Sequence, residues 1–458
     1  AGGTLLSIRG SAFPTNATAS AVSVFIGQLP CTSPVVVNAS LVRCVTSAPP
    51  VLGKPSGALP LTVNFAGYGN AWSQGADSSA VLYQYVDLWS RATTWGGNPP
   101  PVAGDSVYIP PNVTVLLDVS TPVLGAVVLD GSLTFDDNNS TEIQLQASYI
   151  LVKGGNLTIG TPASPYLGRA RITLHGPPYS RELPQYGAKT IAVRYGNVVM
   201  CGAPKVPTWT QLAATADVGD TQLVLAGNVN WVPGDAIAVA SSSFYATHTD
   251  EAIITSVSYD PSTDTSLLKL DTAMRYTHLG VIVPPTPGDP YNRTIDMRAE
   301  VAVLSRRIVI EGDDIDSERW LYGGQIMVGV STPRSFPVRA QLQLEQGVCI
   351  HHTYNRAATI HGTHNVLTQN CVAYNNMGHA FFLEDGIEQG NIYEGNLGFL
   401  THRSDSMLVT DTTPATFWVT HPANTYINNH AGGSTDGYGF WYRFLQNPEG
   451  PRYSDDRA

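Results

Sequence analysis

The sequence predicts an all-β protein: an Ig-like sandwich, a glycine-rich β domain, and a right-handed parallel β-helix, with a small β-module inserted. Three observations support this. Short runs rich in Val, Ile, Leu and Thr recur along the chain, each closed by Gly, Asp or Asn. The 458 residues include 43 Gly and 32 Pro, which favours many turns over long helices. Asn-rich turns also recur at similar spacing near the C-terminus.

The composition excludes several classes of protein. Hydrophobic residues make up 43% of the chain, so it is not disordered for want of a core. The net charge is −11 and no basic run occurs, which argues against nucleic acid as a partner. No stretch of about 20 apolar residues occurs, so we expect no membrane span in this segment.

Residues 1–70 contain short alternating strands separated by turn residues, the pattern of a small antiparallel sandwich. Cys31 and Cys44 flank one strand-turn-strand unit, and we expect a disulfide between them, as in small secreted domains. Two buried free thiols are the alternative. The stretch resembles a TIG (IPT) domain in Gly2-Gly3-Thr4, in Ile8, Gly10 and Phe13, in Ile26-Gly27, and in Leu41 with Cys44.

Residues 71–86 read as a linker, and residues 87–204 carry the most specific pattern of the chain. Strands recur every 10–20 residues without helices between them, which favours coiling β-structure. The segment resembles the G8 domain, which occurs in fibrocystin-like receptors and in the cell-migration-inducing hyaluronan-binding protein. The matching positions are Trp95-Gly96-Gly97, Pro99-Pro100-Pro101, Gly104-Asp105, and Gly154-Gly155 followed by Leu157 and Ile159-Gly160.

Residues 205–300 predict a second β-module, and residues 301–458 predict the parallel β-helix. Asn375-Asn376, Asn396 and Asn428-Asn429 follow similar strands, so we expect coils whose stacked Asn side chains satisfy one another. Gly378 to Gly386 and Gly437 to Trp441 resemble the β-helix of the same family. We expect the β-helix to be incomplete at its C-terminal end. The upstream TIG domain favours the fibrocystin-like branch.

The candidate site residues lie in the last third of the chain, where eight of the 11 His occur. The catalytic candidates are His379, Glu384, Asp385 and His402, which would act as acid, base or metal ligands. The glycan-binding candidates are Arg403, Trp418, Trp441 and Arg443. The competing interpretation is structural, with these side chains bonding within the β-helix.

Other polar and sulfur residues leave alternatives open. Cys349 and Cys371 form either a second disulfide or a buried pair of thiols, and Cys201 is expected to be buried. Asp313, Asp314 and Asp316 are either a calcium site or a solvated turn; no other cofactor is expected. Seven N-glycosylation sequons occur, at Asn16, Asn38, Asn112, Asn138, Asn139, Asn156 and Asn292.

These observations favour a segment of an extracellular or cell-surface glycoprotein with a structural or adhesive role, possibly one subunit of a surface filament or coat. Its expected partners are copies of itself or other surface proteins, and also glycans. The alternative function is binding or depolymerisation of an acidic polysaccharide such as hyaluronan, as the resemblance implies. The net charge of −11 opposes a polyanion unless a local basic groove forms, for example from Arg169, Arg171, Arg181 and Arg194.

Overall fold

The computed structural model confirms the all-β prediction. It describes residues 3–16, 21–47, 59–71, 82–83, 86–137, 141–180, 183, 186–328, 341–344, 347–360, 362–406 and 411–444. Strands dominate these residues, and the helices among them are one α-helix, α1 (Asp314–Trp320), and a short 3-10 helix (Ala92–Trp95).

The N-terminal domain is an antiparallel sandwich, as predicted. Its strands are β1 (Leu5–Arg9), β2 (Val22–Ile26), β3 (Leu29–Pro30), β4 (Thr32–Asn38), β5 (Leu41–Val45), β6 (Leu59–Phe65), β7 (Gly69–Asn70) and β8 (Leu82–Tyr83). One sheet has the order β1-β5-β4 and the other β3-β2-β6-β7, with β8 beside β6. Alternate residues of β2 are buried, and Val24, Ile26 and Val42 lie in the core between the sheets.

The next domain is a solenoid of parallel coils. Its strands are β9 (Asp87–Leu88), β10 (Val107–Ile109), β11 (Thr114–Leu117), β12 (Val123–Leu129), β13 (Ser132–Phe135), β14 (Ile143–Val152), β15 (Asn156–Ile159), β16 (Ala170–Leu174), β17 (Thr190–Val193) and β18 (Asn197–Met200). Glycines are required where successive coils touch. A Cβ on Gly155 would lie 1.9 Å from the carbonyl oxygen of Gly131, and one on Gly196 would lie 2.3 Å from that of Gly155.

The module that follows is antiparallel. Its strands are β19 (Trp209–Gln211), β20 (Gln222–Ala226), β21 (Ala236–Val239), β22 (Asp250–Asp260), β23 (Thr265–Leu270), β24 (Ile282–Val283), β25 (Ile295–Asp296) and β26 (Glu300–Val303). Six of them form one sheet in the order β19-β26-β21-β22-β23-β20, while β24 and β25 form a separate two-stranded ribbon.

After the module the chain returns to the first solenoid. The strands β27 (Ile308–Gly312), β28 (Gln325–Val328) and β29 (Gln341–Leu344) pair in parallel with β16, β17 and β18. The sequence assigned these residues to the β-helix, whereas the pairing makes them the last coil of the G8-like solenoid. The module is therefore an insertion between two coils, which leaves the register of the parallel strands intact.

The β-helix follows, with three parallel sheets. Its strands are β30 (Cys349–Thr353), β31 (Ala358–Ile360), β32 (Leu367–Gln369), β33 (Val372–Met377), β34 (Phe381–Leu383), β35 (Ile392–Glu394), β36 (Leu397–His402), β37 (Ala415–Val419), β38 (Thr425–Ile427), β39 (His430–Ser434) and β40 (Tyr438–Tyr442). The sheet orders are β30-β33-β36-β39, β31-β34-β37-β40 and β32-β35-β38. This confirms the predicted parallel β-helix.

Identical side chains stack inside the β-helix. The rings of Phe381 and Phe417 are 4.8 Å apart and nearly parallel, and Phe440 continues the column at 4.7 Å. The predicted asparagine stacking is present: Asn396 Nδ2 donates to Asn429 Oδ1 at 2.9 Å. Asn375 and Asn376 are not part of this column, because they lie within β33 on a different sheet.

The module packs against the outer face of the sheet formed by β30, β33, β36 and β39. Ala238, Ala240 and Ala302 share one buried cluster with Tyr374 and Phe399. Polar contacts cross the same seam: Tyr374 Oη donates to Glu251 Oε1 at 2.7 Å, and His430 Nδ1 lies 2.8 Å from Glu300 Oε1. The seam holds the β-helix beside the module through both apolar and polar contacts.

Candidate functional site

The predicted glycan-binding tryptophans meet on the outside of the β-helix. Phe381 and Leu383 of β34 belong to the interior cluster, so Phe382 between them points outward. The register places Trp418 beside Phe382, and Trp441 beside Trp418. We call these three rings the Trp418 face. The ring centroids of Trp418 and Trp441 are 4.8 Å apart.

His379 packs beneath this face rather than projecting from it. Its ring lies parallel to Phe382 at 4.7 Å and 4.3 Å from Trp418. The Ala415 backbone N–H donates to His379 Nδ1 at 2.9 Å, so the proton of the neutral ring is on Nε2. Burial lowers the pKa of His379 to about 4, so the imidazole is uncharged at neutral pH.

The polar centre beside His379 is an ion pair that the sequence did not single out. Arg356 binds Asp411 through two bonds, Nε to Oδ2 at 2.8 Å and Nη2 to Oδ1 at 2.9 Å. The guanidinium also lies 3.8 Å from the centroid of the Phe382 ring. Burial disfavours a charged Asp411, but the bonds from Arg356 outweigh it and lower the pKa of this carboxyl.

One signal could have identified Arg356: it is a charged side chain just before β31 in a chain with only 13% charged residues. Asp411 carries no comparable signal, because it lies 55 positions further along the chain and follows a loop.

Glu384 joins this centre, whereas Asp385 does not. Glu384 Oε1 accepts from Arg356 Nη1 at 3.2 Å, and the Glu384 side chain is 37% exposed. Asp385 is buried at the next corner, where its backbone N–H donates to Glu388 Oε1 at 3.0 Å. The two neighbouring carboxylates are therefore directed to different surroundings.

The remaining predicted residues of this region lie away from the Trp418 face. His402 is aligned with Met377, and its Nε2 lies 2.9 Å from Asn375 Oδ1. Burial lowers the pKa of His402. Arg403 is exposed and pairs with Asp405 at 3.0 Å. The columns of side chains in this solenoid therefore do not bring His379 and His402 into one site.

Arg443 and the last strand form the accessible edge of the Trp418 face. The Arg443 guanidinium lies 5.6 Å from the Trp418 ring centroid, and Tyr438 packs edge-on against Trp441 at 4.7 Å. Trp418 itself is only 8% exposed, while Tyr438 is 52% exposed. A ligand would therefore contact Arg443, Trp441 and Tyr438 before it reached Trp418.

The electrostatics of the face bear on glycoside hydrolysis. That reaction needs a carboxyl group that stays protonated near neutral pH as the general acid. Asp411 has a lowered pKa, and His379 is neutral and buried. Among the residues that the structure describes, no three His, Cys, Asp or Glu side chains converge as a metal site would need. The face is arranged as an internal brace with an aromatic edge.

The aspartates proposed for calcium have other contacts. Asp313 caps α1 by accepting from the Asp316 backbone N–H at 2.7 Å. It also accepts from Lys189 Nζ at 2.9 Å, and Lys189 is fully buried. Burial opposes ionisation of Asp313, but these bonds outweigh it and lower the pKa of its carboxyl. Asp313 thus anchors α1 to the first solenoid.

The cysteines are thiols in this structure. Cys31 and Cys44 are hydrogen-bonded neighbours in the sandwich core, and burial raises the pKa of both. Cys349 is aligned with Val372 and packs against the seam, whereas Cys371 belongs to the interior cluster. Cys201 is buried, as expected. Both disulfides stay predictions, and the register favours the Cys31–Cys44 bond over the second.

The sequons differ in their surroundings. Asn16, Asn38, Asn112 and Asn292 are exposed. Asn156 is bonded within the first solenoid: its Nδ2 donates to Ser132 Oγ at 3.0 Å and its Oδ1 accepts from Asn197 Nδ2 at 2.8 Å. Four other residues named from the sequence lie outside the described residues, namely Asn138, Asn139, Arg181 and the histidine at position 361.

Comparison with known proteins bears out the resemblances. Three family models match the chain: the IPT/TIG domain over residues 1–85, the G8 domain over 94–213 and the CEMIP beta-helix over 338–457. No helix among the described residues is both long and apolar enough to cross a membrane.

The matched relatives are longer than this chain. Fibrocystin-L of Mus musculus and of Homo sapiens are each 36% identical to it, over 99% of this chain and 12% of their own length. Cell surface hyaluronidase CEMIP2 of Homo sapiens is 31% identical over 48% of this chain and 20% of its own length. With 36% identity along nearly its whole length, the chain belongs to the fibrocystin-L family.

Proposed function

We propose that the chain is a structural and adhesive segment of an extracellular or cell-surface glycoprotein. One observation carries this proposal: the polar groups with catalytic potential are committed to bonds within the protein. His379 accepts from a backbone N–H, and Arg356 is shared between Asp411 and Glu384. A side chain held in this way braces neighbouring coils, which is what a stiff spacer requires.

The two solenoids and the seam support the same role. In each solenoid, successive coils are joined by parallel strand pairing along the stack. The module is inserted into the first solenoid and packs against the second, so it braces the two. A chain with this construction is suited to holding binding surfaces at a fixed separation. Assembly into a surface filament or coat would be one use of such a segment.

The test is incubation of the purified chain with hyaluronan of defined length, with cell surface hyaluronidase CEMIP2 as the positive control. We expect the polymer length to stay constant. Shortening that disappears in Glu384→Gln, while the control Asp405→Asn still cleaves, would overturn the structural proposal and make Glu384 a catalytic residue.

Binding of an acidic polysaccharide without cleavage is the second candidate. It is favoured by the accessible edge of the Trp418 face, where Arg443 lies beside aromatic rings that suit sugar stacking. One relative is named a cell surface hyaluronidase, and another, from Mus musculus, a cell migration-inducing and hyaluronan-binding protein. The predicted basic groove in the first solenoid is less favourable, because Arg171 is paired with both Glu142 and Glu311.

This candidate predicts salt-sensitive binding of hyaluronan oligosaccharides that Arg443→Ala and Trp441→Ala weaken. The matched control is Arg403→Ala, which removes an exposed arginine away from the face. Binding that the control weakens equally would contradict a site on this edge.

A further inference from the structure

The inserted module carries a small ribbon whose apolar face has no neighbour among the described residues. We call β24, β25 and the residues joining them the arm. In register, Val283 opposes Ile295, and Met297 N donates to Val281 O at 3.1 Å. Because side chains alternate along a strand, Val281, Val283, Ile295 and Met297 share one face of the ribbon.

This arm face is open to solvent. Ile295 is 58% exposed, Met297 44% and Val281 42%, and Val283 is half-buried. Ile282, on the opposite face, is 51% exposed. A two-stranded ribbon is marginally stable in water unless a further strand or layer covers it. Exposed apolar surface of this kind marks a contact site in soluble proteins.

The charges of the arm indicate what could cover it. Arg293 pairs with Asp289 at 3.3 Å, and Arg298 pairs with Asp296 at 2.6 Å. Both arginines are therefore neutralised by carboxylates of the arm itself. A polyanion would find no uncompensated cation here, and an identical arm would meet no repulsive charge.

We propose that the arm face is a self-association surface occupied by the arm of a second copy of this chain. An antiparallel ribbon can meet its own copy across a two-fold axis, which buries one identical apolar face against the other. The contact doubles the sheet or forms a second layer, and either remedies the instability of a lone ribbon. The inference rests on the proposed adhesive role and gives that role a surface.

A neighbouring loop adds a second exposed element to the same part of the module. Leu279 N, two residues before the arm face begins, donates to Ser242 Oγ at 2.9 Å. The loop is braced internally, since Ser241 Oγ donates to Tyr245 O at 2.7 Å. It presents Phe244, which is 96% exposed. A rigid loop with an exposed aromatic ring is typical of the rim or centre of an interface.

The experiment is sedimentation velocity of the whole chain at concentrations from below to above the micromolar range. We expect a monomer–dimer equilibrium. The variants Ile295→Lys and Met297→Lys place charges on already exposed positions, so folding is unaffected, and each should weaken the dimer by about tenfold or more. Ile295→Leu should retain it.

The matched control is Leu167→Lys, which charges a side chain that is 67% exposed in the first solenoid. It should leave the dimer intact, and circular dichroism should be the same for every variant. A chain that stays monomeric at all concentrations overturns the proposal, as does a dimer that Ile295→Lys and Met297→Lys do not weaken. Such results would assign the arm to another protein, a glycan or a lipid surface, and would leave the hyaluronan test of the structural role untouched.

Discussion

Arg356 and Asp411 form a two-point ion pair beneath an aromatic face, although 55 positions separate them in the chain. Asp411 is 3% exposed and the Arg356 side chain 17% exposed, so the pair is largely shielded from water. Buried pairs of this kind add little over apolar packing, but removing one partner leaves the other charge without compensation.

We therefore expect Asp411→Asn to destabilise the chain by about 3 kcal/mol. The measurement is urea unfolding followed by tryptophan fluorescence, since Trp418 and Trp441 lie on this face. The control is Asp405→Asn, which removes an exposed partner of Arg403 and should change the free energy of unfolding by less than about 1 kcal/mol. Equal effects of the two substitutions would contradict a buried brace.

His379 predicts a loss of stability in mild acid. Its pKa is lowered to about 4 in the folded chain, against about 6.5 when unfolded, so the unfolded state binds the proton more readily. Its contribution is therefore complete above about pH 6.5 and falls as the pH drops towards 4. At pH 5 the expected loss is about 2 kcal/mol. Asp411 also has a lowered pKa, but its contribution is lost only below the ordinary range of a carboxyl, so the two can be separated.

The measurement compares unfolding free energies at pH 7 and pH 5 in the chain and in His379→Gln. The substitution should remove a large part of the difference, because Gln can accept the Ala415 N–H without titrating. His351 also has a pKa lowered to about 4, so part of the pH dependence should survive. The exposed His421→Gln is the control. A pH dependence that His379→Gln leaves unchanged would contradict the argument.

The sequence predicted features that repeat from coil to coil. Asn396 and Asn429 occupy equivalent corners, so a pattern of strand followed by Asn is visible without a structure. The last coil of the first solenoid was missed because the module separates β18 from β27, and the returning strands are too short to be recognised as its continuation.

The candidate site was only partly predictable for a related reason. Trp418 and Trp441 follow the period of the coils, and they do meet. Arg356 and Asp411 meet through a loop whose length differs from coil to coil: Cys349 to Val372 spans 23 residues, whereas Leu397 to His430 spans 33. Spacing alone cannot place such residues.

N-glycosylation should divide the sequons by their surroundings. Asn38 and Asn292 are exposed, so we expect glycans there in protein secreted from animal cells. Asn156 should be unmodified in folded protein, because a glycan on Nδ2 would displace its bond to Ser132 and disrupt the column with Asn197. Peptide mapping by mass spectrometry tests this. Full occupancy of Asn156 in folded protein would show that the column tolerates a sugar.

Cys31 and Cys44 should be oxidised in the secreted chain. They are buried neighbours in the sandwich, and a bond between them would close a loop of about 13 residues, worth about 3 kcal/mol. Intact-mass measurement with alkylation under denaturing conditions should find this pair protected and Cys201 labelled. Cys31→Ala with Cys44→Ala should lower the melting temperature of the N-terminal domain, whereas Cys201→Ala should have the smaller effect of a lost buried sulfur. Labelling of both Cys31 and Cys44 would instead establish the pair as buried thiols.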